Sequence, residues 1–184
     1  MPVTGNAFRI SSYDKTAQTI TAVPDPHWWG TRPKLDSIVY RALDYTAWTD
    51  AYLSKEIDYA SAILPEDYKR LAKAAGTDIR VGARWDEVHI EFNGARGPLK
   101  DVRVRQALQH AIDRKAIATA FGKDLPVKLQ THGSHFFMPN QIWALGHSIP
   151  LYQRPEVLAV RSNLANYGAD GLASRDYTKV GWLK

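Results

Sequence analysis

Apolar and polar residues alternate near the start of the chain: Phe8 and Ile10 lead to Asp14-Lys15, and Ile20 and Ala22 resume the alternation beyond them. A period of two folded about a polar break predicts a β-hairpin. A run of turn-formers follows, Pro24-Asp25-Pro26-His27-Trp28-Trp29-Gly30, and Ile38-Val39-Tyr40 predicts a third strand. The period then lengthens. Residues 46–54 are expected to be helical, Glu56 to Ala60 a short strand, and Pro65 to Ala75 a second helix stopped by Gly76. Strand-like alternation returns from Val81 to Phe92 through Trp85, Val88, Ile90 and Phe92, closed by Asn93-Gly94. Asp101 is placed to N-cap a helix with the stripe Val104, Ala107, Leu108, Ala111 and Ile112, and Asp113 to cap a short one ending at Gly122. Ile149 to Val160 again predicts strand, and the tail from Asn163, with Gly168, Gly171 and Gly181, is expected to be extended. Strands alternating with helices predict an α/β domain.

Composition narrows the class without locating a function. With 184 residues, 45% hydrophobic and 23% charged, the chain suffices for one ordinary folded domain or one lobe of something larger. No apolar run has the length of a membrane span. The absence of cysteine excludes disulfides, thiolate metal sites, cysteine nucleophiles and a lipidation cysteine. The opening Met1 to Asn6 lacks a basic region followed by an apolar stretch, so no signal peptide is expected and the location expected for the chain as it stands is cytoplasmic. Lysine and arginine exceed aspartate and glutamate, 24 against 19, for a net charge of +5. The basic residues from Arg103 to Lys128 are interleaved with Asp101, Asp113 and Asp124, and no basic cluster carries interleaved aromatics. That pattern is a solvated basic surface, and no nucleic-acid partner is expected.

Five stretches in order resemble the bacterial family-5 solute-binding proteins, the peptide-binding components of ABC importers. They are Asp25 to Gly30 with Pro33-Lys34-Leu35-Asp36, Glu56-Ile57-Asp58, Asp101 to Leu108 with Ala111 to Arg114, Phe136 to Asn140, and Ile149 to Pro155. One short motif would be weak; five in sequence are specific. Lys55 stands where the family usually has glycine before Glu-Ile-Asp. The resemblance implies a periplasmic-binding-protein-like (type II) α/β lobe, a mixed β-sheet flanked by helices, with the second lobe missing. It further implies one lobe made of a main segment 1–122, a connection 123–146 in place of the second lobe, and return strands 147–184. The resemblance implies too that the family's N-terminal region and lipoprotein signal are missing from this stretch, and that family ancestors are extracytoplasmic lipoproteins; Met1 suits a split or reduced descendant at least as well as an excised domain.

The resemblance places Asn93 and Gly94 where the family presents backbone and amide groups to its solute. An asparagine offers donor and acceptor together, although Asn-Gly also makes a turn unaided. Tyr152 and Gln153 fall on the family's cleft-side strand, where an aromatic ring could stack on a ligand or only fill the core. Phe136 belongs near the cleft mouth, with Phe137 and Met138. His132 and His135 form H-x-x-H, but Gly133 and Ser134 do not suggest a helix and no third ligand is evident, so no metal and no cofactor are expected. Asp86 and His89, three apart on a strand, point to opposite faces and make no dyad. No G-x-S-x-G, H-E-x-x-H or P-loop occurs.

A binding module is therefore expected: one wall of a cleft for a peptide-like or amino-acid-derived solute, completed by a complementary solute-binding-like chain, since pockets usually enclose most of their ligand. The alternative is an intracellular descendant serving small-molecule biosynthesis as enzyme or accessory subunit, with His89, His132 and His135 as acid–base candidates. A third possibility is a structural fragment without activity.

Overall fold

The computed structural model describes residues 5–62, 64–131, 146, 148–168, 170 and 174–183, the side chains of 83–85 excepted. The predicted hairpin is strands β1 (Phe8–Asp14) and β2 (Thr19–Pro24), and β3 (Ile38–Arg41) adds antiparallel to β2. Asp14 makes the turn by accepting from the amides of Thr16 and Ala17, both at 2.9 Å. The register shifts between Ile10 and Ser12, which keeps Tyr13 in phase with Ile10 across the irregularity. Cross-strand partners share a face, so Phe8, Ile10, Tyr13, Ile20, Ile38 and Tyr40 lie together, while Arg9, Asp14, Thr19, Thr21 and Arg41 occupy the other side.

A second sheet forms the backbone of the molecule. Its order is β4 (Tyr59–Ser61), β6 (Ser148–Arg161), β5 (Thr77–Glu91), and each described ladder is antiparallel. The mixed sheet expected from the sequence is thus seen, among the described strands, as antiparallel ladders. Strand β6 is central, and both of its faces are covered at its C-terminal end. Val157 and Ala159 join Tyr52, Ala60, Ala62 and Leu71 in one cluster, while Leu158 and Val160 join Leu164, Tyr167 and Val180 in another. This explains the unbroken apolar run Val157 to Val160, the signature of a strand buried on both sides. A third cluster surrounds the other end of β6, where Ile149, Leu151 and Tyr152 meet Ala118, with Val88, Ile90, Phe92, Ile112 and Phe121 packed around them. Pro150 is tolerated inside this strand because the β5–β6 register shifts beside it, between Val88 and His89.

Helices α1 (Trp48–Leu53) and α2 (Pro65–Leu71) cover the first cluster, and Pro65 sits at the helix start, where its missing amide costs nothing. Helices α3 (Val102–Ala111) and α4 (Arg114–Gly122) begin where the sequence predicts, each capped by its aspartate: Asp101 accepts from the Arg103 amide, Asp113 from the Ala116 amide, both at 2.9 Å. The predicted second helix ends earlier, at Leu71, and the chain turns through residues 72–76 to Gly76 at φ 71°. The tail is pinned rather than loose. Strands β7 (Leu164–Ala165) and β8 (Gly181–Trp182) pair, and Arg80 donates to the carbonyls of Leu164, at 2.8 Å, and Tyr167.

Candidate functional site

Strand β6 is buried at both ends and polar between them. Ser148 to Tyr152 and Val157 to Val160 are buried, whereas Gln153 is exposed and Arg154, Pro155 and Glu156 are half-buried. Opposite this window, the β5 register shifts between Gly82 and Asp86. A polar interruption between two apolar clusters, on a ladder that is irregular at that point, is where a solute can reach the sheet.

On the face shared with Val88 and Tyr152, Arg154 pairs with Asp86 through two donor nitrogens, one at 2.9 Å. Their side chains keep 39% and 27% of their exposure, so water reaches both. Tyr45 lies within electrostatic range of Arg154 and Asp67. Burial and the Asp67 carboxylate raise its phenol pKa, opposed by Ser61 and Arg154. Asp67 itself accepts from the Thr49 hydroxyl at 2.7 Å, and Tyr45 leans on Trp48 with centroids 5.2 Å apart. A guanidinium and its carboxylate partner thus stand at the window, with the Tyr45 phenol in electrostatic range of Arg154 and the Asp67 carboxylate in range of Tyr45. This can hold a zwitterion: the cation meets a carboxylate, the carboxylates an ammonium.

The residues expected to bind solute are placed differently. Tyr152 borders this window but is only 4% exposed, its ring stacked on Phe121 at 5.4 Å; burial raises its phenol pKa, opposed by Arg154. It supports the site from beneath. Gln153 faces the opposite side of the ladder, paired in register with Glu87, and its backbone N–H donates to the Gln130 backbone carbonyl at 3.1 Å. On that side His89 contacts Glu91 at 3.2 Å and Glu87 at 3.7 Å, which agrees with the alternation that separates it from Asp86. Asn93 is six positions beyond Glu87, in the turn that follows the end of β5 at Glu91. Its side chain accepts from the Ala95 amide at 3.0 Å, and the Gly94 turn rests above Arg105, which holds the loop through the Leu99 carbonyl at 2.6 Å. Phe136, His132 and His135 lie outside the described residues. Among the described residues, no group of three histidines or carboxylates is arranged to hold a metal.

Sequence reasoning missed the Arg154–Asp86 pair because its members are 68 residues apart. The available signal was the polar Gln153-Arg154 inside an otherwise apolar strand.

Comparison with known proteins supplies the wider context. The family described as bacterial extracellular solute-binding proteins, family 5 Middle, matches residues 1–152. The oligopeptide-binding protein OppA of Mycobacterium tuberculosis is 37% identical over 131 residues, 68% of this chain and 22% of its own. The periplasmic oligopeptide-binding protein OppA of Salmonella typhimurium is 27% identical over 118 residues, 62% of this chain and 22% of its own. The chain spans about a fifth of the length of these curated relatives. Among solved structures, a periplasmic EDTA-binding protein, EppA, superposes with a TM-score of 0.64 at 25% identity, over 78% of this chain and 29% of its own. The peptide-bound periplasmic binding protein DppA of Helicobacter pylori reaches 0.75 at 10% identity over 97% of this chain and 63% of its own, a likeness of fold.

Proposed function

The chain belongs to the bacterial extracellular solute-binding proteins of family 5, and on that premise we propose that it forms one wall of a cleft for a peptide-like or amino-acid-derived solute, with no covalent chemistry. The expected α/β class, periplasmic-binding-protein-like of type II, is the fold it shares with its structural neighbours. The observation that carries the reading is the half-buried Arg154–Asp86 pair in the polar window of β6, with Tyr45 in electrostatic range of Arg154. A peptide's terminal carboxylate would replace Asp86 on Arg154, and its ammonium would sit between the carboxylates. Tyr152 would form the floor. Asn93, Gly94, Gln153 and Phe136 would meet other parts of a longer ligand or a closing wall.

That wall would come from a complementary chain, because one open face buries too little of a ligand. The matched stretches make up 29% of EppA and 63% of DppA, so each neighbour has chain beyond what this one covers. The location proposed is outside the cytoplasm, the compartment named for the Salmonella relative; nothing in the relatives supports the cytoplasmic expectation. No described helix is long and apolar enough to cross a membrane. No observation favours the biosynthetic reading over this one.

Calorimetric titration with trialanine and its C-terminal amide tests the proposal. Trialanine should bind, the amide at least tenfold more weakly, and Arg154→Gln should remove the difference. Equal affinity for both peptides, or a difference that survives Arg154→Gln, would refute the role given to the window.

A further inference from the structure

A surface recess of about 390 Å³ lies where β6 ends, beyond the apolar run Val157 to Val160, and the solute-binding reading makes no use of it. Its size falls within the roughly 300–1,000 Å³ of small-molecule pockets. Lys55, from the turn after α1, and Asp58, just before β4, meet there with Arg161, Ser162, Asn163 and Trp182. Arg161 is fixed and largely enclosed. Its guanidinium lies 4.1 Å from the Tyr52 ring centroid and donates to the carbonyls of Tyr52, at 2.6 Å, and Ile57, at 3.1 Å; its side chain is 15% exposed. Asp58 stands 3.9 Å from it, an ion pair that offsets its charge. The Lys55 amine has no such partner among the described residues, and the neighbouring Glu56 pairs instead with Arg41 at 2.6 Å. The recess therefore carries one uncompensated positive charge. Lys55 is also held at φ 67°, in left-handed backbone that glycine enters freely and an L-residue does not. Strain of this kind concentrates at ligand sites and switches. Trp182 brings a flat apolar surface. Strand pairing to Leu164 and the Leu183 amide, bonded to the Asn163 carbonyl at 2.8 Å, fix its backbone, and it stays 48% exposed.

We propose that this recess is a second binding site, separate from the window at Arg154, for a small aromatic monocarboxylate whose carboxylate sits on Lys55 and whose ring lies against Trp182. Charge selects the monoanion. Arg161 and Asp58 offset each other, so one negative charge completes the balance. A phosphate monoester, with nearly two, would be repelled by Asp58, whose side chain is 57% exposed. The indole selects the ring, because a half-exposed aromatic surface gains from a second one packed offset or edge-on. Beside it, the ammonium and carboxylate make a charge-assisted hydrogen bond. Ser162 and Asn163 add an exposed hydroxyl and amide that can donate to the second carboxylate oxygen.

The test is an NMR titration of the whole chain with phenylacetate, following the Trp182 indole N–H, which is assigned by its loss in Trp182→Phe. The expected result is a saturable shift at millimolar ligand. Phenylacetamide lacks the charge, acetate lacks the ring and phenyl phosphate carries nearly twice the charge; each should bind at least about tenfold more weakly. Lys55→Gly should weaken phenylacetate binding by at least about tenfold, whereas Lys55→Arg should retain it within about threefold. A cooperative melt of Lys55→Gly shows that lost binding is not lost structure; should that variant not fold, Lys55→Gln takes its place with the same expected loss. An unmoved indole signal, an affinity that removing the Lys55 amine leaves intact, or equal binding of phenylacetamide would overturn the proposal. So would tighter binding of phenyl phosphate, or loss of the shift in Arg154→Gln, which would put the acid in the window. The two sites fail separately. A saturable shift without trialanine binding counts against the solute-binding reading alone, and trialanine binding without the shift overturns this site alone.

Discussion

Lys55 follows helix α1 in left-handed backbone, at φ 67°. Its amide donates to Tyr52 at 3.0 Å and the Glu56 amide to Ala51 at 2.8 Å, the paired bonds of a Schellman turn. The position that donates the first of these bonds must be left-handed, which costs an L-residue about 1–2 kcal/mol and glycine nothing sterically. Glycine loses more chain entropy on folding, which returns about half of that gain. Lys55→Gly is therefore expected to raise stability by roughly 0.5–1 kcal/mol, read as a higher urea midpoint at unchanged slope. A lower midpoint would mean that the lysine side chain, beside Asp58 and Arg161 in a surface recess, contributes more than the strain removes. The sequence displays the substitution, lysine where the family usually has glycine, but the left-handed backbone that gives it a cost is a structural fact.

At the scale of elements, helices α3 and α4 share one capping device with different electrostatics. Asp101 receives the Arg103 amide and also its guanidinium, at 2.6–3.1 Å, whereas among the described residues the Asp113 carboxylate receives the Ala116 amide alone. The hydrogen bonds from Arg103, side chain first and then backbone, hold the Asp101 carboxyl below the ordinary 3.8. A carboxyl whose folded pKa is depressed adds stability that is fully present above the unfolded value and is lost as pH falls through the folded one. Asp101→Asn keeps an acceptor at the cap, so it should leave the neutral-pH melt nearly unchanged and make the loss of stability below about pH 4 shallower. An acid limb identical to the parent's would show that the Arg103 contact contributes nothing, as exposed ion pairs often do. Both caps were legible because a cap is local, one aspartate and an amide two or three residues on. The early end of α2 was not. Leu71 is buried against Tyr52 and Ala159, and the chain leaves the helix there to reach β5.

Across the whole molecule, strand β6 passes through all three apolar clusters, and the polar window lies between them. Local stability follows buried contact, so it should vary along one continuous strand. Amide exchange is expected to be slowest at Val157 to Val160 and slow at Ile149, Leu151 and Tyr152, with Arg154 and Glu156 exchanging faster than either flank. Uniform protection from residue 149 to residue 160 would mean that the clusters behave as one core and that the window is no weak point. The same arrangement bears on the expected single lobe of segments 1–122, 123–146 and 147–184. The described part of the last segment is central: its strand pairs with both β4 and β5, and its tail closes the cluster around Tyr167. There Arg175 lies 4.0 Å from the Tyr167 ring centroid, and burial, then Tyr59, push that phenol's pKa up.

By itself, the sequence determined what depends on neighbours along the chain. These were the first hairpin, the strand and helix order, both aspartate caps, the opposed faces of Asp86 and His89, and family membership, which is written in contiguous motifs. Tertiary structure decided what depends on register and burial. It turned the Tyr152 ring into the core, set Asn93 in the turn beyond β5 while Gln153 pairs with Glu87, and joined Arg154 to Asp86 across 68 residues. A one-residue slip in the β5–β6 pairing would exchange every face on that ladder. No local pattern can fix such a register, because it is set by the two shifts near Asp86 and Val88 and by the clusters packed on either side of β6.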